Sequence, residues 1–255
     1  MSFKSWIIFA INLLLLTTLT LTGCSTVNDD PTLAFQGQAE DRIYNDGEML
    51  LAKGSYNDAI KHFEALDALY PFGATARQAQ FDSIYAYYMT GDAATTLAAA
   101  DRFIHLYPRD PHVDYAYYMK GLANFNLHQD FVTRLFRLDM AERDIANAKK
   151  AYQDFADLTH YFPDSQYALD ARQHMIFLRN ILANHDLQVA QFYMKRHAYV
   201  AAANRANDLV KQYPQAMAVA DALKIMVNAY RALHLEQAAN EAQRVLRLNY
   251  PNKKQ

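Results

Sequence analysis

One phrase recurs five times along the chain and constrains its fold more than any other feature. Each copy is the apolar end of a helical stretch, followed by an aromatic residue and then a proline. The copies are LDALYP, FIHLYP, LTHYFP, LVKQYP and LRLNYP, which end at Pro71, Pro108, Pro163, Pro214 and Pro251. Proline ends helices because it lacks a backbone N–H and its ring clashes with the preceding turn. Each copy therefore predicts the end of an α-helix.

The residues in front of these prolines align as well. Five positions before each proline is an apolar residue, in the order Leu66, Phe103, Leu158, Leu209 and Leu246. Twelve positions before is a small residue, in the order Ala59, Thr96, Ala151, Ala202 and Ala239. Seventeen positions before is a candidate turn residue, in the order Gly54, Gly91, Ala146, His197 and His234. A turn, a small residue where helices cross, an apolar residue and a proline resemble the second half of a tetratricopeptide repeat, a pair of helices of about 34 residues.

The sequence therefore predicts an all-α solenoid of five tetratricopeptide-like helix pairs, at about residues 38–73, 74–110, 111–164, 165–215 and 216–251. Successive prolines are 37, 55, 51 and 37 residues apart, so the third and fourth repeats are too long. For the third repeat we expect an insertion between Asn126 and Ala146, a loop with a short helix. For the fourth we expect a lengthened helix, because apolar residues keep helical spacing from Gln166 to Lys195. A bend near Asn184–Asp186 is an alternative to a continuous helix.

The N-terminus has the pattern of an export signal. Lys4 precedes an apolar run, and the interruption of this run by Asn12 and threonines argues against a membrane-spanning anchor of about 20 apolar residues. The tetrad Leu21-Thr22-Gly23-Cys24 is typical of a bacterial lipobox. Residues 1–23 are thus predicted to be a removed signal peptide, Cys24 to carry the lipid anchor, and 24–37 to be a lipidated flexible tether. Ser25, in place of the aspartate of an inner-membrane retention signal, favours the outer membrane.

Composition and motifs favour a binding protein over an enzyme. The net charge of −2 argues against a nucleic-acid partner, which needs a basic patch. The nine histidines form no HExxH motif, the single cysteine excludes metal–thiolate clusters, and no GxSxG, Walker or GxGxxG string occurs. We therefore expect no catalytic residue, no metal and no cofactor other than the lipid on Cys24. The alternative, a periplasmic enzyme, requires a constellation of polar residues in a pocket.

Tyrosines and phenylalanines recur at the repeat positions that line the inner face in this repeat family. The predicted peptide groove consists of Tyr44, Gln78, Phe81, Tyr85, Tyr88, Tyr115, Tyr118 and Phe125. Tyrosine offers a large apolar ring with a polar tip, which suits an extended peptide that carries aromatic side chains. The alternative is that these rings fill the space between helices. We prefer this interpretation for Tyr87 and Tyr117.

Several longer stretches resemble the BamD family, lipoproteins of the outer-membrane β-barrel assembly machinery. They are ALDALYPFG at 65–73, IYAYY at 84–88, DRFI at 101–104, HVDYAYYMKG at 112–121, DSQYALDA at 164–171 and VAQFYMKRHAYVAAANR at 189–205. The resemblance covers nearly all of the mature chain. His197 departs from it, since relatives tend to have glycine there.

The resemblance implies a non-catalytic scaffold and receptor on the periplasmic face of the outer membrane. Its C-terminal repeats would bind the periplasmic domains of BamA, with Arg196 and Arg205 as candidate contacts. Its N-terminal repeats would bind targeting signals of unfolded outer-membrane β-barrel proteins. The insertion is a candidate docking loop for other Bam lipoproteins, through Phe136, Asp139, Glu142, Arg143 and Asp144. The alternatives are solvated charges at these positions, and an adaptor lipoprotein serving another envelope process such as peptidoglycan synthesis or pilus assembly.

Overall fold

The computed structural model describes residues 32–128 and 145–251. The predicted signal peptide, Cys24 and the candidate docking loop from Phe136 to Asp144 lie outside these ranges. The chain divides into two units, residues 1–37 and 38–255. The described part of the first unit contains one short 3-10 helix, Leu33–Phe35.

In the described part of the second unit the chain forms ten α-helices and no strand. They are α1 (Glu40–Ala52), α2 (Tyr56–Leu69), α3 (Ala74–Thr90), α4 (Ala93–Leu106), α5 (Val113–His128), α6 (Ile145–Tyr161), α7 (Ala168–Lys195), α8 (Tyr199–Gln212), α9 (Val219–Ala232) and α10 (Glu236–Asn249). Each helix packs against the next one along the chain. The first helices of neighbouring repeats also meet, α1 with α3, α3 with α5 and α7 with α9. The predicted all-α, tetratricopeptide-like stack of helix pairs is confirmed. The lengthened helix of the fourth repeat is α7, a single helix of 28 residues.

The repeated phrase has a direct structural cause. The apolar residue five positions before each proline is buried in the core, and its carbonyl accepts the N–H of the aromatic residue that ends the helix. These bonds join Tyr70 to Leu66, Tyr107 to Phe103, Phe162 to Leu158, Tyr213 to Leu209 and Tyr250 to Leu246, at 2.8–2.9 Å. The small residues twelve positions before the prolines are all 0% exposed. Helices can cross closely there because these side chains occupy little volume.

Four of the five predicted turn residues adopt left-handed backbone conformations. Gly54 and Gly91 have φ of 78° and 79°, and His197 and His234 have φ of 57° and 59°. The left-handed region is disfavoured for residues with a Cβ, so the histidines carry backbone strain that the glycines do not. The prediction for Ala146 was wrong. Because α6 already begins at Ile145, Ala146 is helical and the connection from α5 precedes it.

Candidate functional site

A line of aromatic side chains runs along the first helices of repeats one to four. We call it the aromatic seam and define it by the rings that line α1, α3, α5 and the start of α7. They are Tyr44, Phe81, Tyr85, Tyr88, Tyr115, Tyr118 and Tyr167.

At the start of the seam, α1 and α3 are joined by a half-buried carboxylate. The Tyr44 hydroxyl donates to Oδ2 of Asp82 at 2.9 Å, and Gln78 Nε2 donates to Oδ1 of the same carboxylate at 3.2 Å. Burial raises the pKa of Asp82 to about 6, although both hydrogen bonds favour the charged form. Burial, and then the charge of Asp82, raises the pKa of the Tyr44 phenol. The phenol therefore remains neutral and its ring is held in one orientation.

Between α3 and α5 the rings differ in how far solvent can reach them. The centroid of Phe81 lies 4.8 Å from Tyr115, 5.6 Å from Phe103 and 5.7 Å from His112, so this ring is packed on several sides. Tyr85 is 38% exposed and meets the ring of Tyr56 edge-on at 6.1 Å. Of these rings, Tyr85 presents the most accessible surface.

Further along α3, Tyr88 is held by a side chain of α5. Its hydroxyl accepts a hydrogen bond from Asn126 Nδ2 at 2.8 Å. Phe81 and Tyr88 of the second repeat thus lie against side chains of the third, Tyr115 and Asn126.

Between α5 and α7 the seam continues through a stacked pair of tyrosines. The rings of Tyr118 and Tyr167 lie 4.8 Å apart at an interplanar angle of 16°, and Tyr115 lies 5.5 Å from Tyr167. The Tyr118 hydroxyl donates to Asp170 Oδ2 at 2.6 Å. Burial, and then this hydrogen bond, raises the pKa of Tyr118. Asp170 also lies 3.2 Å from His174 Nε2, one turn further along α7.

One predicted groove residue, Phe125, belongs to the core instead. It is 9% exposed and its ring meets His174 edge-on at 4.6 Å. The adjacent Phe177, whose ring centroid lies 5.8 Å from that of Phe125, is the exposed aromatic at this point. The assignment of Phe125 to the groove is corrected, because its side chain faces α7 rather than solvent.

Tyr87 and Tyr117 point away from the seam, in agreement with the preference for inter-helix packing. The Tyr87 hydroxyl donates to Glu64 Oε1 on α2 at 2.6 Å. The Tyr117 ring packs 5.5 Å from Phe162, beyond the end of α6.

Sequence reasoning missed Tyr167, Asp82, Asp170 and His174. Three of these residues lie in the fourth repeat, whose first helix, α7, is lengthened to 28 residues and departs from the repeat spacing. A signal was available there: Tyr167, Asp170 and His174 are spaced three and four residues apart, which places them on one face of a helix.

The two arginines proposed as partner contacts do not form one patch. Arg196 ends α7, with its guanidinium carbon 4.7 Å from the centroid of the Phe192 ring. Arg205, on α8, is paired with Asp186, with 3.4 Å between Nη1 and Oδ1. Since a helix rises 1.5 Å per residue, about 15 Å of α7 separates Asp186 from Arg196.

The described residues contain neither a cluster of metal-binding side chains nor a membrane-spanning helix. Across residues 32–128 and 145–251, no group of three or more His, Cys, Asp or Glu side chains is placed to hold a metal ion. Over the same ranges no helix is long and apolar enough to span a membrane.

Stacked helix pairs define a helical-repeat protein. Comparison with known families makes this more specific. Residues 36–246 match the sequence model of a family described as outer membrane lipoprotein. The chain is 38% identical to the outer membrane protein assembly factor BamD of Neisseria gonorrhoeae, over 91% of this chain and 88% of the relative. It is also 38% identical to the BamD of Vibrio cholerae, over 90% of this chain and 93% of the relative. The chain belongs to this family, and the resemblance seen in the sequence is confirmed.

Proposed function

We propose that this chain is a non-catalytic receptor and scaffold in the assembly of outer-membrane β-barrel proteins. A lipid on Cys24 would hold it to the periplasmic face of the outer membrane. Its N-terminal repeats would capture targeting signals of unfolded clients, and its C-terminal repeats would bind BamA. The names of its relatives support the assembly role. The observation that carries client binding is the aromatic seam.

The seam suits an extended peptide because its polar tips are already occupied. The hydroxyls of Tyr44 and Tyr118 donate to Asp82 and Asp170, and that of Tyr88 accepts from Asn126. The rings are therefore held in fixed orientations, which lowers the entropic cost of binding. They offer apolar faces to the aromatic side chains of a client. Each client ring buried there contributes about 1.5–3 kcal/mol.

A site-specific crosslinking experiment tests the seam. A photo-crosslinking amino acid at Tyr85 should trap a peptide that ends in phenylalanine and is derived from an unfolded outer-membrane protein. The matched control is Tyr161, which is 60% exposed near the end of α6 and away from the seam. In a binding titration with the same peptide and no crosslinker, the double substitution Tyr85→Ser and Tyr118→Ser should reduce capture about tenfold or more, whereas Tyr161→Ser should not. Equal crosslinking at 85 and 161, or unchanged capture by the double variant, would show that clients bind elsewhere.

Arg196 is the stronger of the two candidates for the BamA contact. It forms no ion pair with any described residue, and it lies over the Phe192 ring, which is 50% exposed. An exposed arginine on an exposed aromatic is the composition of an interface hot spot. Arg205 is already paired within the chain, so its charge is partly neutralised.

Co-purification from detergent-solubilised membranes tests this contact. Arg196→Glu should abolish recovery of BamA with the chain, and Arg205→Glu should weaken it less. The control is Arg42→Glu on α1, at a side chain that is 74% exposed. Recovery of BamA with Arg196→Glu at the level of the unaltered chain would contradict the assignment.

A further inference from the structure

The connections between the first four repeats lie side by side. We call them together the connection edge and define it by residues 70–73, 107–112 and 162–167, which join α2 to α3, α4 to α5 and α6 to α7. Three contacts link these connections in series, from the start of α1 to the start of α7. They are Tyr70 Oη to Gln38 O at 2.7 Å, Arg77 Nη1 to Asp110 Oδ2 at 3.3 Å, and Ser165 Oγ to Asp114 Oδ2 at 2.6 Å.

Large apolar or aromatic side chains are exposed at every connection of this edge. They are Phe72, Leu106, Tyr161 and Leu169. Phe72 is 88% exposed and Leu169 is 68% exposed, and no large apolar side chain among the described residues is more exposed than Phe72. Single exposed apolar residues are ordinary on a protein surface. Their recurrence at three successive connections of one edge indicates a shared contact instead.

The predicted lipid anchor joins the repeats at this same edge. Gln38, whose carbonyl accepts the hydrogen bond from Tyr70, is fourteen residues after Cys24. A chain spans at most about 3.3–3.6 Å per residue, so Cys24 can lie no further than about 50 Å from Gln38. The far end of α1 lies about 20 Å further away, because this helix has 13 residues. A lipid on Cys24 therefore favours the connection edge as the part of the repeats nearest the bilayer.

We propose that the connection edge rests on the bilayer that holds the lipid anchor, with Phe72 and Leu169 inserted among the lipids. This inference rests on the proposed anchor at Cys24. Separate apolar side chains suit a lipid surface, because lipid can surround each of them individually. A specific protein partner needs a continuous surface of about 800 Å² instead. Burial of each side chain in lipid strengthens the contact about tenfold or more.

The charges near the edge have both signs, so attraction to anionic lipid is not the source of the contact. They belong to Glu40, Asp41, Arg42, Arg109, Asp110, Asp164 and Arg172. Apolar insertion does not depend on ionic strength in the way that attraction between charges does. The contact should therefore be the same at low and at high salt.

Met217 provides a matched control in another connection. It is 76% exposed between α8 and α9, and its backbone N–H donates to Asn180 Oδ1 at 3.0 Å. Asn180 is twelve residues after Ala168, the first residue of α7. At 1.5 Å per residue, this places the connection of Met217 about 18 Å along α7 from the connection edge.

Nitroxide labels on the full acylated chain in phospholipid vesicles test the contact. The chain has one cysteine, and a lipid on Cys24 consumes its thiol, so a nitroxide attaches only to a cysteine that is introduced. In Phe72→Cys and Leu169→Cys, the nitroxide should collide more with oxygen, which concentrates in lipid, than with a water-soluble nickel chelate. In Met217→Cys the nickel chelate should collide more.

Two double variants assign the contact to the exposed side chains. Phe72→Ser with Leu169→Ser should weaken it about a hundredfold and move a nitroxide in Leu106→Cys from lipid to water. Met217→Ser with Leu248→Ser is the control and should leave that nitroxide in lipid. Both variants should still float with the vesicles, because the lipid on Cys24 holds them, and circular dichroism should show an intact helical fold.

Three results would overturn the inference. Nitroxides at positions 72 and 169 that meet the nickel chelate as often as the one at 217 would refute the insertion while leaving the anchor in place. Shielding of both positions from oxygen and nickel alike would show that a second copy of the chain covers the edge. Attachment of a nitroxide to the unaltered chain at Cys24 would refute the anchor, and the inference with it.

Discussion

Replacing Gly121 by alanine should destabilise the chain more than the same replacement at Gly47. Both glycines lie inside the first helix of a repeat, where the second helix crosses closely. A Cβ on Gly121 would lie 2.5 Å from Cε1 and 2.6 Å from Cδ1 of Phe155. Since carbon atoms in ordinary contact are about 3.5–4.0 Å apart, the ring or the helix must move by about 1 Å.

The ring of Phe155 is packed on all sides and cannot move away from the added methyl group. It is fully buried, it is stacked on His174 at 4.9 Å, and it lies 6.1 Å from Tyr118 of the aromatic seam. Overpacking of this kind destabilises by about 1–3 kcal/mol, and alanine recovers about 0.5–1 kcal/mol over glycine within a helix. The expected net loss for Gly121→Ala is therefore about 1–2 kcal/mol.

Gly47 is the internal comparison. A Cβ there would lie 2.8 Å from Cε1 of Phe63 and 3.1 Å from Cβ of His62, but Phe63 lines a cavity of about 320 Å³ between α2, α3 and α4. The ring can shift into that space, so the gain from alanine's helix propensity offsets most of the clash.

Urea denaturation of the full chain, followed by circular dichroism, checks these values. The double variant Gly121→Ala, Phe155→Leu should show a favourable coupling of about 1 kcal/mol, because the smaller side chain relieves the clash. Gly121→Ala should also reduce client crosslinking at Tyr85, since movement of Phe155 disturbs Tyr118. Equal stability of Gly121→Ala and the unaltered chain, or a larger loss for Gly47→Ala, would refute the packing argument.

Two further predictions concern titration and backbone strain. Burial raises the pKa of Asp82 to about 6 in the folded chain, from about 4 in the unfolded chain, so the folded state binds this proton more tightly. The free energy of unfolding therefore falls as the pH rises from about 4 to about 6. Asp82→Asn lacks this effect, so in urea titrations its stability relative to the unaltered chain should improve by about 2 kcal/mol between pH 4 and pH 7. A difference in stability that does not change with pH would contradict the burial of Asp82. His234→Gly should stabilise by about 0.5–1 kcal/mol in thermal unfolding because φ at this position is 59°, whereas His234→Ala should bring no gain.

The fold could be predicted from the sequence because each repeat contains residues that mark where its helices end and cross. The proline phrase marks where second helices end, and the small residue twelve positions earlier marks where helices cross. Both signals depend only on residues close together in sequence, so they can be recognised in every repeat. The prediction for Ala146 was wrong because this residue lies inside α6. The position of a turn depends on where the next helix begins, and α6 begins before Ala146.

The site was predictable only in part, because membership of the seam depends on what lies opposite each ring. The spacing of Phe125 is the same as that of the accessible tyrosines, yet His174 and Phe177 of α7 close over it. Asp82 and Asp170 were missed for the converse reason. In the sequence alone they are ordinary carboxylates on helices. Only the structure shows that they accept hydrogen bonds from tyrosine hydroxyls of adjacent helices and so anchor the seam.

The IYAYY stretch of α3 shows why periodicity alone cannot assign these roles. A helix at the edge of a domain has one apolar face, but α3 packs against α1, α2, α4 and α5, so apolar and aromatic residues surround it. Ile84 enters the core, Tyr85 and Tyr88 face the seam, and Tyr87 reaches Glu64 of α2. The hydroxyls of Tyr87 and Tyr88 pair with groups on neighbouring helices, Glu64 of α2 and Asn126 of α5. The neighbouring helices therefore decide which of these rings is available to a partner, and substitutions at Asn126 or Glu64 should redirect Tyr88 or Tyr87 without any change in α3 itself.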